Sequence, residues 1–260
     1  MNCEKKINKF RKVRDHCHIT GKYRGAAHSI CNLKLQIKAD VTQIPVFFHN
    51  LENYDAHLIM QGISAYQDQR EIFVIPKTSE KYISFSVGNL VFRDSLHFLS
   101  RSLDQLVKCC PKDAFETLKS LYPEKSNLLL KKGIYPYEYM DTFDKFEETT
   151  LPKIEEFYSE LKDENISLED YQRAQQVWNE FDIKNMGEYH DLYMKTDTLL
   201  LACVFENFRK VCIKNYKLDP ANFYTAPGLS WDSLLYHSDE ELELLTDIDK
   251  IGRASCRERV

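Results

Sequence analysis

The chain has 260 residues, 43% hydrophobic and 29% charged, with ordinary glycine and proline content, which suits one large or two small soluble domains. No apolar run approaches the ~18–20 residues of a membrane span, the N-terminus is basic without an apolar signal region, and eight cysteines in a chain this long read as reduced thiols or metal ligands rather than a disulfide scaffold. The net charge of −5 is unevenly spread: residues 1–40 carry ten Lys/Arg against three acids, and residues 138–191 carry sixteen acids against five bases. That asymmetry points to a head that meets a polyanion, or to a solvated basic tail.

In chain order, residues 13–33 form a compact His/Cys cluster. IPVFFH (44–49) is a short apolar run suited to a buried strand, and YDAHLIMQGI (54–63) spaces its apolar residues as a helix does. EIFVIP (71–76), KYISFSV (81–87) and NLVFRDS (89–95) are β-rich, with Gly88-Asn89 as a hairpin signal between the last two. From there the pattern turns helical. SLDQLVKCC follows Ser100 and Ser102. ISLEDYQRAQQVWNEF opens on Ser167 with Asp170 three residues on, a variant of the capping box. Residues 186–216 form the longest helical segment, and Pro220 and Pro227-Gly228 are expected to break the chain beyond it. Strands followed by helices predict an α/β (α+β) fold. The acid run over 138–170 reads as a solvated helical face, Trp178 and Trp231 as packing residues, and Cys109-Cys110 as incidental. The last ten residues, IGRASCRERV, back-translate to a common sequencing-library adapter, so 251–260 read as an artefact and the chain as a truncated fragment.

Two carboxylates carry the chemistry. Tyr193 and Asp197 are four apart, on one helix face continued by Leu200, Leu201 and Phe205. A carboxylate on so apolar a face is costly unless paired or metal-bound. It reads either as a helix-edge group bonding a neighbouring backbone or as a metal ligand with a tyrosine beside it to orient water. Asp55, at a helix start after a strand, is a candidate second ligand, because two-metal nucleases gather carboxylates from several elements. Hard oxygen donors select Mg²⁺ or Mn²⁺.

These stretches resemble family B DNA polymerases of the protein-primed, viral and organellar kind, as in large self-synthesising DNA transposons. FFHNLENYDAHLI resembles the second motif of the proofreading exonuclease, with Asn50 and Asp55 in the motif positions. YHDLYMKTDTLLLACVFENF resembles the third, with Tyr193 and Asp197. RDSLHFL resembles the element that contacts the single-stranded primer end, through Ser95 and Leu96. KKGIYPYEYM resembles the lysine-plus-tyrosine element, through Lys132 and Tyr137. The resemblance implies an RNase-H-like 3′–5′ exonuclease core with a helical second half over 41–222, then the start of a polymerase domain over 223–250. It also implies Mg²⁺ on Asp55 and Asp197, single-stranded and primer-template DNA as partners, dNTPs for the full-length parent, a terminal priming protein, and an intracellular, nuclear or viral-replication setting without a membrane. Two departures stand out. No Asp-x-Glu of a first exonuclease motif precedes residue 41, and no polymerase palm aspartates appear. The fragment is therefore expected to be inactive on its own.

The head, 1–40, resembles phage recombination endonuclease VII, an HNH-type ββα-metal nuclease, over DHCHITGKYRGAAHSICN (15–32). The resemblance implies a small treble-clef-like zinc knuckle with Cys3, His28 and Cys31 as Zn²⁺ ligands. It also implies an alternative endonuclease site of Asp15, His16 and Asn32, with His16 as general base. Lys22, Arg24, Lys34 and Lys38 would contact phosphates. A degenerate finger kept for structure or for grip on DNA fits the same residues, and for the whole chain the two departures above leave a non-catalytic single-stranded-DNA-binding fragment as a further reading.

Overall fold

The computed structural model describes residues 12–16, 22–34, 42–65, 71–160, 163–238 and 242. The chain divides into two compact units, Met1–Asp94 and Ser95–Val260. The first is mainly β and the second mainly helical, so the fold is α+β.

The first unit opens with β1 (Lys12–His16) paired antiparallel to β2 (Tyr23–His28), then α1 (Ser29–Lys34). The register slips between Asp15 and His16. A four-stranded sheet comes next, built from β3 (Ile44–Phe48), β4 (Ile72–Pro76), β5 (Tyr82–Val87) and β6 (Leu90–Asp94) in the order β3-β6-β5-β4. Each strand matches an apolar run read from the sequence. The Gly88-Asn89 hairpin is present: Val87 and Leu90 pair across it and Gly88 takes φ 59. Only β3 runs parallel to its neighbour, β6. A parallel pair needs a crossover, and the crossover begins with α2 (Asp55–Ala65), after which β4, β5 and β6 return antiparallel. Ala56, Ile59, Met60 and Ile63 of α2 repeat at three- and four-residue spacing and join Leu51, Phe85 and Val87 in one apolar cluster. Phe85 and Phe92, opposite each other on β5 and β6, stack at 4.7 Å within it.

The second unit is organised on α7 (Met186–Tyr216), 31 residues long. Asn185 caps it by accepting from the Glu188 amide at 2.9 Å, and Glu188 accepts from the Lys184 amide at 2.8 Å. It ends where Lys217 turns left-handed at φ 59. α3 (Leu103–Cys109), α4 (Glu116–Leu121) and α5 (Ser126–Leu129) precede it, and Leu103, Val107, Phe115, Leu118 and Leu129 pack on Leu200, Cys203 and Val204. α6 (Leu168–Glu180) begins at Ser167, whose hydroxyl accepts from the Asp170 amide at 3.1 Å and donates to its carboxylate at 3.0 Å, as the capping spacing predicts.

Three sequence expectations are corrected. Pro227-Gly228 does not break a helix but lies in the first turn of α8 (Ala226–Ser238). Proline is tolerated there because that amide has no intrahelical partner. The described part of the acid-rich stretch before α6 is loop with two short 3-10 turns, Phe143–Glu147 and Ile154–Phe157, rather than a helical face. Trp231 is not a packing residue: it is 54% exposed on α8, whereas Trp178 does join the core around Met186 and Tyr189.

Candidate functional site

Tyr193 and Asp197 lie one turn apart on α7, as their spacing requires. Tyr193 is buried and donates its hydroxyl to Asp197 Oδ2 at 3.0 Å. The Tyr137 hydroxyl bonds the Tyr193 hydroxyl. Because Tyr193 has a single proton and gives it to the carboxylate, Tyr137 is the donor in that second bond. The result is a relay from Tyr137 to Tyr193 to Asp197. The loop bearing Lys132 closes over the pair, with the Gly133 amide donating to Asp197 Oδ1 at 3.3 Å. Gly133 is required here: a Cβ would lie 2.5 Å from Tyr193 Cδ2 and 2.8 Å from Cε2. Tyr135 stacks on the Tyr193 ring at 4.8 Å and bonds His190 Nδ1 at 2.8 Å. Arg173 of α6 anchors the loop through the Lys132 carbonyl at 2.8 Å.

Burial sets the electrostatics. Desolvation pushes the Asp197 carboxyl above its usual range, and the Lys132 charge, the Tyr193 hydroxyl and the Gly133 amide pull it partly back. Tyr193 is driven far up, first by burial and then by the Asp197 charge, so it remains a phenol and a hydrogen-bond donor. Each Asp197 oxygen accepts one described hydrogen bond and retains lone-pair capacity for a cation. That donor chemistry fits a hard divalent ion. Among the described residues no group of three or more His, Cys, Asp or Glu converges on one metal position.

In the first unit, β3 ends at Phe48 and a turn carries the chain to Asp55, the first residue of α2. Asn50 takes φ 76, a left-handed conformation that asparagine tolerates better than most residues. Its Oδ1 accepts from Asn53 Nδ2 at 2.7 Å. Asp55 is half-buried, and its carboxyl is raised by desolvation, lowered by its own backbone bond, and raised further by the negative charge of Asp94. Asp94 does not stand out in the sequence, although an acid closing the strand LVFRD is an anomaly there. It is 1% exposed and accepts from the Asn50 amide at 2.9 Å and the Glu52 amide at 3.1 Å. Gly133, Tyr135 and Arg173 are equally silent in the sequence, since none belongs to a short spacing rule.

Among the other candidates, Ser95 is fully buried at the start of a short 3-10 turn, Ser95–His97, and Leu96 is half-buried. Lys132 is half-buried, whereas Tyr137 is 57% exposed, so its ring is accessible even as its hydroxyl is engaged. In the head, β1, β2 and α1 form a ββα arrangement with Asp15 and His16 on β1, His28 closing β2, and Cys31 and Asn32 on α1. Arg24 is tied to Asp15 at 2.9 Å, and Lys22 is exposed. Cys3 and Lys38 lie outside the described residues, as does 251–260. No helix of the described residues is long and apolar enough to cross a membrane.

The family model described as DNA polymerase type B, organellar and viral, matches residues 38–249. Neither curated proteins nor solved structures yield a match. The matched span leaves out nearly all of the ββα head and takes in Asn50, Asp55, the Ser95-Leu96 element, the Lys132 loop and the Tyr193–Asp197 pair. The chain therefore belongs to the organellar and viral type B DNA polymerases.

Proposed function

We propose that the region 41–222 is the 3′–5′ proofreading exonuclease part of such a polymerase, with an RNase-H-like core, and that it binds single-stranded primer ends. The observation that carries this reading is the Tyr137–Tyr193–Asp197 relay closed by the Gly133 amide. A buried carboxylate at a helix edge needs a partner for its charge; this one is held by neutral donors and a single nearby lysine, an arrangement suited to receiving a cation. Asp197 and Asp55 are the proposed ligands of Mg²⁺ or Mn²⁺. A bound ion supplies Lewis acidity and lowers the pKa of its water.

The protein's own groups do the rest. Tyr193, kept protonated by burial, donates to Asp197 and fixes the carboxylate's orientation; the proton of Tyr137 completes the relay and leaves its ring exposed to stack on a base. Lys132 supplies the positive charge nearest Asp197 and is suited to a backbone phosphate. Asn50 shapes the turn that delivers Asp55, and in the proposed strand-binding element the half-buried Leu96 reaches the surface with the buried Ser95 behind it. Initiation by a terminal priming protein, with dNTPs used by the polymerase region, is the corresponding reading of the whole protein. The test joins an upstream Asp-x-Glu strand to this chain and monitors a 5′-labelled single-stranded oligonucleotide in Mg²⁺. Stepwise loss of 3′ nucleotides is expected, abolished by Asp197→Ala. Undiminished degradation by that variant would overturn the assignment.

The ββα arrangement around Asp15, His16, His28, Cys31 and Asn32 favours a second reading for the head: a zinc-knuckle module with HNH-type endonuclease activity. His16-dependent nicking of plasmid DNA would support it, and equal nicking by His16→Ala would remove it.

A further inference from the structure

Beyond the ligands and strand contacts assigned above, we propose that Asp94 is a positioning residue that clamps the Asn50–Tyr54 turn and thereby fixes where α2 begins and where Asp55 stands. The functional half of this proposal rests on Asp55 being a metal ligand; the clamp itself does not.

The end of the sheet creates the need for a clamp. β3 and β6 run parallel, and their ladder ends with Phe48 opposite Asp94. Past that point the β3 chain leaves the sheet, and its amides lose their ladder partners. A buried amide left unpaired loses its bond to water without a replacement and is destabilising, so the turn needs an acceptor at this place. Asp94 provides two: Oδ1 for the Asn50 amide at 2.9 Å and Oδ2 for the Glu52 amide at 3.1 Å. Both bonds are charge-assisted, and hence stronger than backbone pairs of the same length. The carboxylate is 1% exposed, a position an acid does not occupy without such partners.

The rest of the turn is tied to the opposite hairpin. Lys77 Nζ reaches the buried Glu52 carboxylate at 2.9 and 3.1 Å, and Lys81 Nζ reaches Asn53 Oδ1 at 2.7 Å. Asn53 in turn holds Asn50. The left-handed Asn50 and the 3-10 turn Leu51–Asn53 are therefore pinned to β6 on one side and to the β4–β5 hairpin on the other. Asp55 comes two residues after the last pinned position. A ligand whose backbone is fixed this way meets a metal without first paying for ordering of its loop. Asp94 also directly precedes Ser95 in the chain, so the residue that sets the Asp55 turn is covalently continuous with the proposed strand-binding element.

The test uses the full chain. In the wild type, amide hydrogen exchange read by NMR should show Asn50 and Glu52 protected although neither amide lies in a strand or helix ladder. Exchange at unstructured-peptide rates would overturn the clamp, and this measurement needs no variant to fold. Asp94→Asn preserves shape but places an amide donor against one of the two N–H groups. It should accelerate exchange at Asn50 and Glu52 by about tenfold or more, with the slow-exchanging core of β5 unchanged; equal rates would overturn the proposal. Mn²⁺ titration then separates the two halves. Asp94→Asn should weaken Asp55-dependent Mn²⁺ binding by about ten- to a hundredfold, the effect of removing a group that orients a ligand. Unchanged Mn²⁺ affinity in Asp94→Asn, with Asp55→Ala abolishing binding, would overturn the positioning role. If Asp55→Ala itself leaves Mn²⁺ binding intact, the metal-site reading fails, and the exchange data still decide the clamp.

Discussion

Burial makes the Asp197 carboxylate costly to the fold. Burial raises its carboxyl, so the folded chain holds that proton more tightly than the unfolded chain does. This group's contribution to stability is therefore full below the ordinary aspartate range and is lost as pH rises through the raised value. Asp197→Asn should raise the melting temperature at pH 7.5, and the gain should close as the pH falls below about 4. A gain of a few degrees is the scale, because ~1 kcal/mol moves the midpoint of a domain of this general size by ~2–4 °C. Mg²⁺ should stabilise the wild type and not this variant, since only a ligand that binds the folded state shifts unfolding. A variant less stable than wild type at pH 7.5 would show that desolvation does not dominate there. Gly133 offers a second test at this scale. Gly133→Ala drives a methyl into the Tyr193 ring, which Tyr135 holds from stacking distance. A loss of about 1–3 kcal/mol is expected, shrinking in a Tyr193→Ala background because the two residues share one contact. Equal cost in both backgrounds would contradict the packing geometry.

At the scale of elements, the ends of the helices do much of the organising. The final turns of α7 are fastened by Arg209, which forms a two-pronged pair with Asp219, Nε to Oδ1 at 2.9 Å and the second nitrogen to Oδ2 at 2.6 Å. The Arg209 guanidinium holds the Asp219 carboxyl below its usual range. Here the sign is opposite to that of Asp197: the stabilisation is present above the unfolded aspartate pKa and is lost as pH falls through the lowered one. Asp219→Asn should cost about 1–2 kcal/mol near neutrality and nothing in strong acid, read by denaturant melts across pH. A constant penalty at all pH values would mean that packing, not charge, is lost. The elements are largely legible in the sequence because their signals are local. Ser167, Gly88 and the 3.6-residue spacing of α2 each specify a structure within a few residues. Pro227 misleads for the same reason: a proline that stops one helix and one that starts the next look alike until the neighbouring turn is known.

For the whole molecule, charge is the readable quantity. A basic head on an acidic body should bind single-stranded DNA in a salt-dependent way, with Lys22 as one contact. Lys22→Gln should lower the slope of log affinity against log salt by about 0.7, one single-strand phosphate contact, in anisotropy titrations between about 50 and 200 mM salt. An unchanged slope would take Lys22 off the binding surface. Asn50, Asp55, Tyr193 and Asp197 are legible from the sequence because each sits in a short stretch that resembles a motif of the family, and the family match over 38–249 takes in all of those stretches. What the sequence by itself determined is therefore the family, the order of strands and helices, and the candidate carboxylates. Only the tertiary structure decided how two of those carboxylates are held: Asp197 by the loop amide of Gly133, 64 positions away, and the Asp55 turn by the buried Asp94. Those contacts join distant positions through bonds to backbone amides. Every residue but proline carries such an amide, so no pattern of side chains announces which ones will be taken.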